Sequence, residues 1–218
     1  MQVKAYKGMG MEGGVARWYD KTTRRDLPEF KALARRVADR LPAGARVLEV
    51  APGPGFFAIE LAKIAKYEIT GLDISKSFVE IAKRNAQQER VDVDFRQGNA
   101  SQMPFGENSF DFLLCRAAFK NFSDPVGALR EMRRALKPGG RALVIDLRKN
   151  VDKKSLDEYI RGLKAGALDA FMMKWTFRLM LIRRAYTRQQ FREFISQSGF
   201  GNSEIEETPI GFEITLVK

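Results

Sequence analysis

At 218 residues, with 44% apolar and 30% charged side chains, the chain has the composition of one domain of ordinary size with a sizeable core; two large domains and a disordered chain are both excluded. No apolar run approaches the roughly 18 residues a spanning helix needs, and the start Met1-Gln2-Val3-Lys4-Ala5-Tyr6-Lys7 lacks the apolar core of a signal peptide, so a cytoplasmic protein is expected. One cysteine, Cys115, makes no internal disulfide, and the absence of histidine excludes Ser-His-Asp and Cys-His nucleophile systems and leaves no metal centre to expect.

Two periodicities alternate along the chain, period 3.6 for helices and period 2 or a short β-branched run for strands. Phe30, Leu33, Ala34, Val37 and Leu41 recur at helical spacing in an N-terminal helical segment (1–45) that Pro42 and Gly44 close. A cofactor-binding core (46–147) follows, with strands at 46–51, 67–73, 91–95, 110–115 and 142–147. The helices between them are read at 57–65, at 77–88 opened by Ser75, and at 125–136 capped by Ser123 or Asp124 and stopped by Pro138-Gly139-Gly140. Strands alternating with helices of this length imply right-handed βαβ units and a parallel sheet. At 148–186 the alternation breaks: 155–168 and 170–184 both read as helical with no strand between them, which marks an insertion. A closing segment (187–218) resumes with a helix at 188–197 and strands at 203–207 and 212–217. With no repeat or long linker, residues 1–218 are expected to form a single domain.

The net charge of +11 is uneven: +6 over residues 1–46, +1 over 47–147, +8 over 148–192 and −4 over 193–218. Basic ends around a neutral core suit an acidic partner, a phosphate-bearing substrate or an anionic membrane surface, and equally an ordinary solvated surface.

The turn Glu49-Val50-Ala51-Pro52-Gly53-Pro54-Gly55-Phe56-Phe57 joins a strand to a helix, where Gly53 and Gly55 let backbone approach a ligand. Gly53 to Ala58 also fits the dinucleotide form G-x-G-x-x-A. Glu49, on the strand before the turn, suits a cationic ligand end better than a pyrophosphate, and is otherwise a core-edge ion pair. Asp73, closing the second strand, can accept from both hydroxyls of a ribose, and is otherwise a helix cap.

The order of further motifs arbitrates: Gly98-Asn99-Ala100-Ser101-Gln102-Met103-Pro104-Phe105, then Ser109-Phe110-Asp111, then Leu136-Lys137-Pro138-Gly139-Gly140. With the glycine turn, this series resembles the seven-stranded class I methyltransferases that use S-adenosylmethionine, and among them the branch of the ubiquinone/menaquinone-biosynthesis C-methyltransferases and related small-molecule enzymes. The resemblance covers residues 15 to 147. It implies an α/β fold: a Rossmann-like, doubly wound, mostly parallel seven-stranded sheet with helices on both faces, here with 148–186 as a helical lid.

The same resemblance implies that Glu49, Ala51, Gly53 and Gly55 surround the methionine part of the cofactor, that Asp73 takes the ribose, and that Ile74, Asn99 and Ala100 meet the adenine. Asn99 stands where the family usually has aspartate. Ala51 stands where it usually has glycine, so that backbone is expected to keep out of positive φ. Val15-Ala16-Arg17-Trp18-Tyr19-Asp20 resembles the family's N-terminal V-A-x-x-Y-D element, which makes Tyr19 a candidate for the cofactor's carboxylate. Cys115 to Phe122 falls on the segment bordering cofactor and acceptor, and Lys120-Asn121 resembles an Arg-Asn pair of the quinone branch.

Methyl transfer from a sulfonium needs alignment and exclusion of water rather than a triad. The expected catalytic groups are Asp146, Arg116 and Lys120, with Tyr19 and Tyr186 as further candidates for a base, and the expected acceptor-binding residues are Asn121, Trp175 and Tyr186. From Phe171 to Ile182 nine of twelve residues are apolar, interrupted by Lys174, Thr176 and Arg178. The basic, apolar stretch 170–184 would line an apolar acceptor pocket, lie on an anionic membrane as a peripheral contact, or pack as ordinary core. A nucleic-acid substrate is the alternative that the charge suggests. Against it, the chain lacks the Asn/Asp-Pro-Pro-aromatic quartet that grips a flipped base, and no proline precedes Cys115. A non-catalytic adenosyl-binding protein is a further alternative, and nothing in the sequence marks an oligomeric state.

Overall fold

The computed structural model describes residues 6–7, 10–162, 175, 177 and 181–218. Two helices, α1 (Gly13–Thr23) and α2 (Leu27–Ala38), precede β1 (Arg46–Val50). The alternation then runs α3 (Phe56–Ala62), β2 (Glu68–Asp73), α4 (Lys76–Glu89), β3 (Asp94–Gln97), β4 (Phe110–Arg116), α5 (Pro125–Ala135) and β5 (Leu136–Leu147). After α6 (Lys153–Gly162) come α7 (Arg188–Ser198), β6 (Asn202–Glu207) and β7 (Gly211–Val217). The expected helix at 155–168 is represented by α6; its last residues, and those of the expected helix at 170–184 other than Trp175, Phe177, Leu181 and the single turn Ile182–Arg184, lie outside the described residues.

The seven strands form one sheet in the order β3-β2-β1-β4-β5-β7-β6, parallel from β3 to β5, with β7 antiparallel to both β5 and β6. This is the doubly wound arrangement the alternation implied. Alternate residues of each central strand feed two cores. Val47 and Leu114 meet α2, α3 and α4 through Phe30, Leu33, Phe57 and Val79, while Leu48, Leu113 and Cys115 meet α5 and α7 through Leu129, Met132, Phe191 and Ile195. Because both faces are covered, the strands read as continuous apolar runs rather than alternating ones.

Two strand boundaries differ from expectation for identifiable reasons. At the end of α4, Arg90 takes a left-handed conformation (φ +56) and the Val91 amide still donates to Ala86 O (3.1 Å), so 91–93 serve to reach the sheet edge and β3 starts at Asp94. At the other boundary, Leu136 turns extended as α5 ends and pairs at once with Phe110, so β5 begins there rather than at Ala142; a register shift on β4 then brings Arg141 opposite Phe112. The cap of α5 is Asp124, which accepts from Gly127 N at 2.8 Å, and Ser75 caps α4 by accepting from Phe78 N at 3.0 Å.

Candidate functional site

The strand order reverses between β1 and β4, so the carboxyl ends of these neighbours diverge and leave a crevice, the place where open parallel sheets hold ligands. The glycine turn crosses this point directly after β1. Ala51 takes φ +56 with its amide on Leu72 O (2.7 Å), which corrects the expectation that alanine would keep this backbone out of the left-handed region. The two neighbouring strand ends fix the turn strongly enough to hold a side chain there, at a conformational cost of roughly 1–2 kcal/mol. Ala51→Gly should therefore raise the stability read from urea unfolding by about 0.5–1 kcal/mol, the strain relief less the added entropy of the unfolded chain. A loss instead would mean that the Ala51 methyl packs better than its backbone strains.

The two glycines of the turn have different jobs. A Cβ on Gly55 (φ +81) would lie 2.6 Å from the Phe95 ring and 3.0 Å from Ala82 Cβ, so this glycine lets the turn pack against β3 and α4. A Cβ on Gly53 (φ +56) would meet only Tyr19, at 3.9 Å, so packing does not demand a glycine at this buried position as it does at Gly55.

Two carboxylates flank the turn. Glu49 is buried and accepts from Ala58 N in the first turn of α3 (3.1 Å); it has no ion pair among the described residues, and burial pushes its pKa up to about 8. Asp73 accepts from Gly53 N at 3.0 Å with Oδ2 and from Ser75 N at 2.9 Å with Oδ1, and burial raises its pKa to about 6. Each oxygen keeps a second lone pair, so a diol can still be bound. The helix cap here is Ser75 and not Asp73. Beyond Asp73, Ile74 is partly exposed, and Asn99 Oδ1 accepts from Ser101 N (3.0 Å), which turns the free amide of Asn99, rather than its oxygen, toward a new partner. Ala100 packs on the adjacent core.

Tyr19 reaches the crevice because α1 is tied to α4. Its ring meets Phe78 edge-on at 5.6 Å, Gly13 N donates to Ser77 Oγ (2.9 Å), and the Glu12 carboxylate accepts from the amides of Lys76 and Ser77 (3.1 and 3.0 Å). Asn85 completes the tie: its amide donates to Pro54 O of the glycine turn (3.0 Å) and to Asp20 (3.1 Å), and its oxygen accepts from Arg24 (2.7 Å). Sequence reasoning missed Glu12 and Asn85. Neither has a local signal, since an asparagine within a helix reads only as a weak helix former.

Beyond β4 the structure corrects several expectations. Asp146 and Lys120 serve each other: Lys120 Nζ lies 2.9 Å from Asp146 Oδ1, Lys120 N donates to Oδ2 (2.7 Å), Leu147 N donates to Oδ1 (2.7 Å), and Lys120 Nζ also donates to Ala117 O. Both side chains are buried, so the pair clamps the β4 exit onto β5 instead of presenting a base and a cation to a ligand. Arg116 turns toward α2, pairing with Glu29 at 2.9 Å and lying 4.4 Å above the Phe30 ring. Cys115, expected to border the cofactor, is buried in the core with its thiol pKa pushed up by burial.

Asn121 is different. Its backbone oxygen accepts from Lys7 N (2.6 Å), while its side-chain Oδ1 is buried with no hydrogen-bond partner among the described residues. Next to it, the Tyr186 hydroxyl bonds to Lys7 Nζ, and the Tyr186 ring sits among Phe119, Phe191 and Phe194. Trp175 is half exposed. The rest of the apolar stretch 171–182, apart from Phe177, Leu181 and Ile182, lies outside the described residues.

Residues 48–144 match the family model described as a methyltransferase domain. A demethylmenaquinone methyltransferase of Deinococcus radiodurans is 39% identical over 46% of this chain and 42% of its own length. One of Thermotoga maritima is 32% identical over 78% of this chain and 74% of its own length. The chain belongs to the class I S-adenosylmethionine-dependent methyltransferases, in the ubiquinone/menaquinone branch. Its match spans under half the length of the Deinococcus relative. The fold is shared with a crystal structure from Methanococcus maripaludis assigned as an S-adenosyl-L-methionine-dependent methyltransferase, at a TM-score of 0.77 and 22% identity over 99% of this chain and 97% of that one. In this methyltransferase family member, the fold brings together, of the residues expected to hold the cofactor, the buried turn at Gly53, the carboxylates of Glu49 and Asp73 that flank it, and the Tyr19 ring, 3.9 Å from a Cβ placed on Gly53.

Proposed function

We propose that this chain transfers the methyl group of S-adenosylmethionine to a small, apolar or aromatic acceptor of quinone type, at carbon or oxygen. The observation that carries the reading is the glycine turn at the switch point, uncrowded in front of Gly53 and flanked by two buried carboxylates, of which Asp73 keeps lone pairs free beyond its bonds to the turn and to Ser75. Bound there, S-adenosylmethionine supplies an electrophilic methyl on a sulfonium whose departure leaves a neutral thioether.

The chain's own work is to bind and to exclude water. Asp73 holds the ribose hydroxyls, Glu49 balances the cationic end, and Ile74 with Ala100 offers an apolar surface to the adenine. On the acceptor side, the Oδ1 of Asn121, buried and without a donor among the described residues, suits an acceptor hydroxyl, because a buried carbonyl oxygen without a donor costs free energy that such a hydroxyl would recover. The aromatic wall of Phe119 and Tyr186 suits a flat ring. Relatives named for demethylmenaquinone support a quinone-type acceptor. The stretch 170–184 keeps its three readings as pocket wall, peripheral membrane contact and ordinary core; no helix among the described residues is long and apolar enough to cross a membrane.

Calorimetric titration with S-adenosylmethionine tests the cofactor half. Asp73→Ala should weaken binding roughly 100-fold, the worth of two hydrogen bonds to a charged acceptor. Asp73→Asn keeps one acceptor for the turn and serves as the folding control. Methyl incorporation into reduced quinones and phenols, beside RNA, tests the acceptor half. Asn121→Ala should raise the acceptor KM about tenfold with cofactor affinity unchanged. Incorporation into RNA alone would overturn the small-molecule reading.

A further inference from the structure

The chain has two tryptophans, and both lie more than half exposed: Trp18 at 64% and Trp175 at 52%. A large apolar ring left in water asks for a partner, and the surroundings of Trp18 say which kind. On α1, Val15 is exposed three residues before it and Thr22 follows four residues after, so the three share one stripe of the helical surface. The opposite stripe, with Ala16, Tyr19 and Thr23, packs inward.

The charges divide in the same way. The acids of α1 and its start are engaged elsewhere, Glu12 by the amides of Lys76 and Ser77 and Asp20 by Asn85 and Arg24, while Asp26 pairs with Arg25 at 3.7 Å. Arg17 and Lys21 are exposed and make no ion pair among the described residues. The outward surface is therefore Val15 and Trp18 rimmed by Arg17 and Lys21. The second tryptophan belongs to the other strongly basic part of the chain, and the Phe177 ring near it in sequence packs on Tyr159 of α6 (5.9 Å). Tyr159 in turn lies within reach of the charges of Asp26 and Arg25 at the α1–α2 junction. α6 thus lies beside the α1–α2 junction, and Tyr19, the neighbour of Trp18 on α1, brings that helix to Gly53 of the turn.

We propose that the Val15–Trp18 face of α1, with its basic rim, docks on an anionic lipid bilayer and sets the crevice against the lipid. An indole with its N–H suits the headgroup region, where one edge of the ring is apolar and the other wet, and the surrounding cations suit an anionic leaflet. The apolar patch is too small and too basic for the core of a stable protein dimer. The purpose of this docking rests on the acceptor reading above, since an apolar quinone would then pass from bilayer to crevice without crossing water. Its measurement does not rest on that reading.

Trp175→Phe leaves Trp18 as the sole tryptophan. With neither cofactor nor acceptor present, vesicles of phosphatidylglycerol and phosphatidylcholine in equal parts should shift the emission of this variant to the blue, and brominated lipid should quench it. Vesicles of phosphatidylcholine alone should do neither. Trp18→Ser should lower co-sedimentation with the anionic vesicles roughly tenfold, and Arg17→Glu with Lys21→Glu should abolish it. The proposal is overturned if the emission stays unmoved, if Trp18→Ser sediments like the parent, or if the shift follows protein concentration or added single-stranded RNA instead of lipid. Methyl transfer to a water-soluble acceptor, measured separately, should be equal in Trp18→Ser and the parent. Its complete absence from both would overturn the acceptor reading and leave the vesicle result standing.

Discussion

Glu49→Gln is expected to outlast the parent protein at alkaline pH and to match it under mild acid. In the ligand-free fold, burial raises the Glu49 pKa to about 8 against an ordinary 4.5. Below about pH 4.5 the carboxyl is protonated in both folded and unfolded chains. As pH rises the unfolded chain ionises first, and stability falls until the folded-state pKa is passed. At roughly 1.4 kcal/mol per pH unit, the loss between pH 4.5 and 9 is on the order of 5 kcal/mol. Asp73, raised to about 6, adds a loss of the same sign that is complete near that pH.

Glutamine keeps an acceptor for the Ala58 amide and cannot ionise, so urea unfolding near pH 5 and pH 9 should separate the two proteins only at the higher pH. Parallel profiles would show that Glu49 ionises without cost. The same group predicts a signature of binding. A cationic cofactor end beside Glu49 favours its ionised form, so titration with S-adenosylmethionine near pH 7 should release a proton. The observed heat should then depend on the buffer for the parent and not for Glu49→Gln.

The second large effect is expected at the buried pair behind β4. Lys120→Met removes the only cation touching Asp146 among the described residues and leaves a buried carboxylate with two backbone donors. Breaking a buried ion pair from one side costs about 3–5 kcal/mol. Adding Asp146→Asn, which removes the charge while keeping one acceptor for the backbone, should recover about half of that loss, and the resulting non-additivity measures the coupling. Urea unfolding reads this directly. If Lys120→Met instead left stability intact and lowered only the turnover of methyl groups, Lys120 would be a catalytic cation, as its sequence position beside Asn121 suggested, and the clamp role would fail.

These experiments divide along the line between what the chain states locally and what folding adds. The alternation of periods and the Gly53–Gly55 turn were legible because period and backbone permissiveness are properties of neighbouring residues. The order of the motifs carried the family resemblance, and with it the cofactor and the residues around the turn. Local reading also placed Ser75 as the cap of α4, and left Ser123 and Asp124 undecided for α5 because capping needs only residues three positions apart.

The tertiary structure decided everything that depends on residues distant in sequence. Gly55 looked like a ligand-facing glycine and proved to be a packing one, because the Phe95 ring arrives from a strand forty residues away. Ala51 looked unable to adopt positive φ and does so, because Leu72 on the neighbouring strand fixes its amide. Lys120 and Asp146 looked like separate candidates for chemistry and proved to be partners, because β4 and β5 pair in parallel and bring their ends together. A single sequence determines which residues can take part in a site. Which of them face the crevice and which face one another is set by strand order and register, since burial and pairing are properties of the assembled sheet.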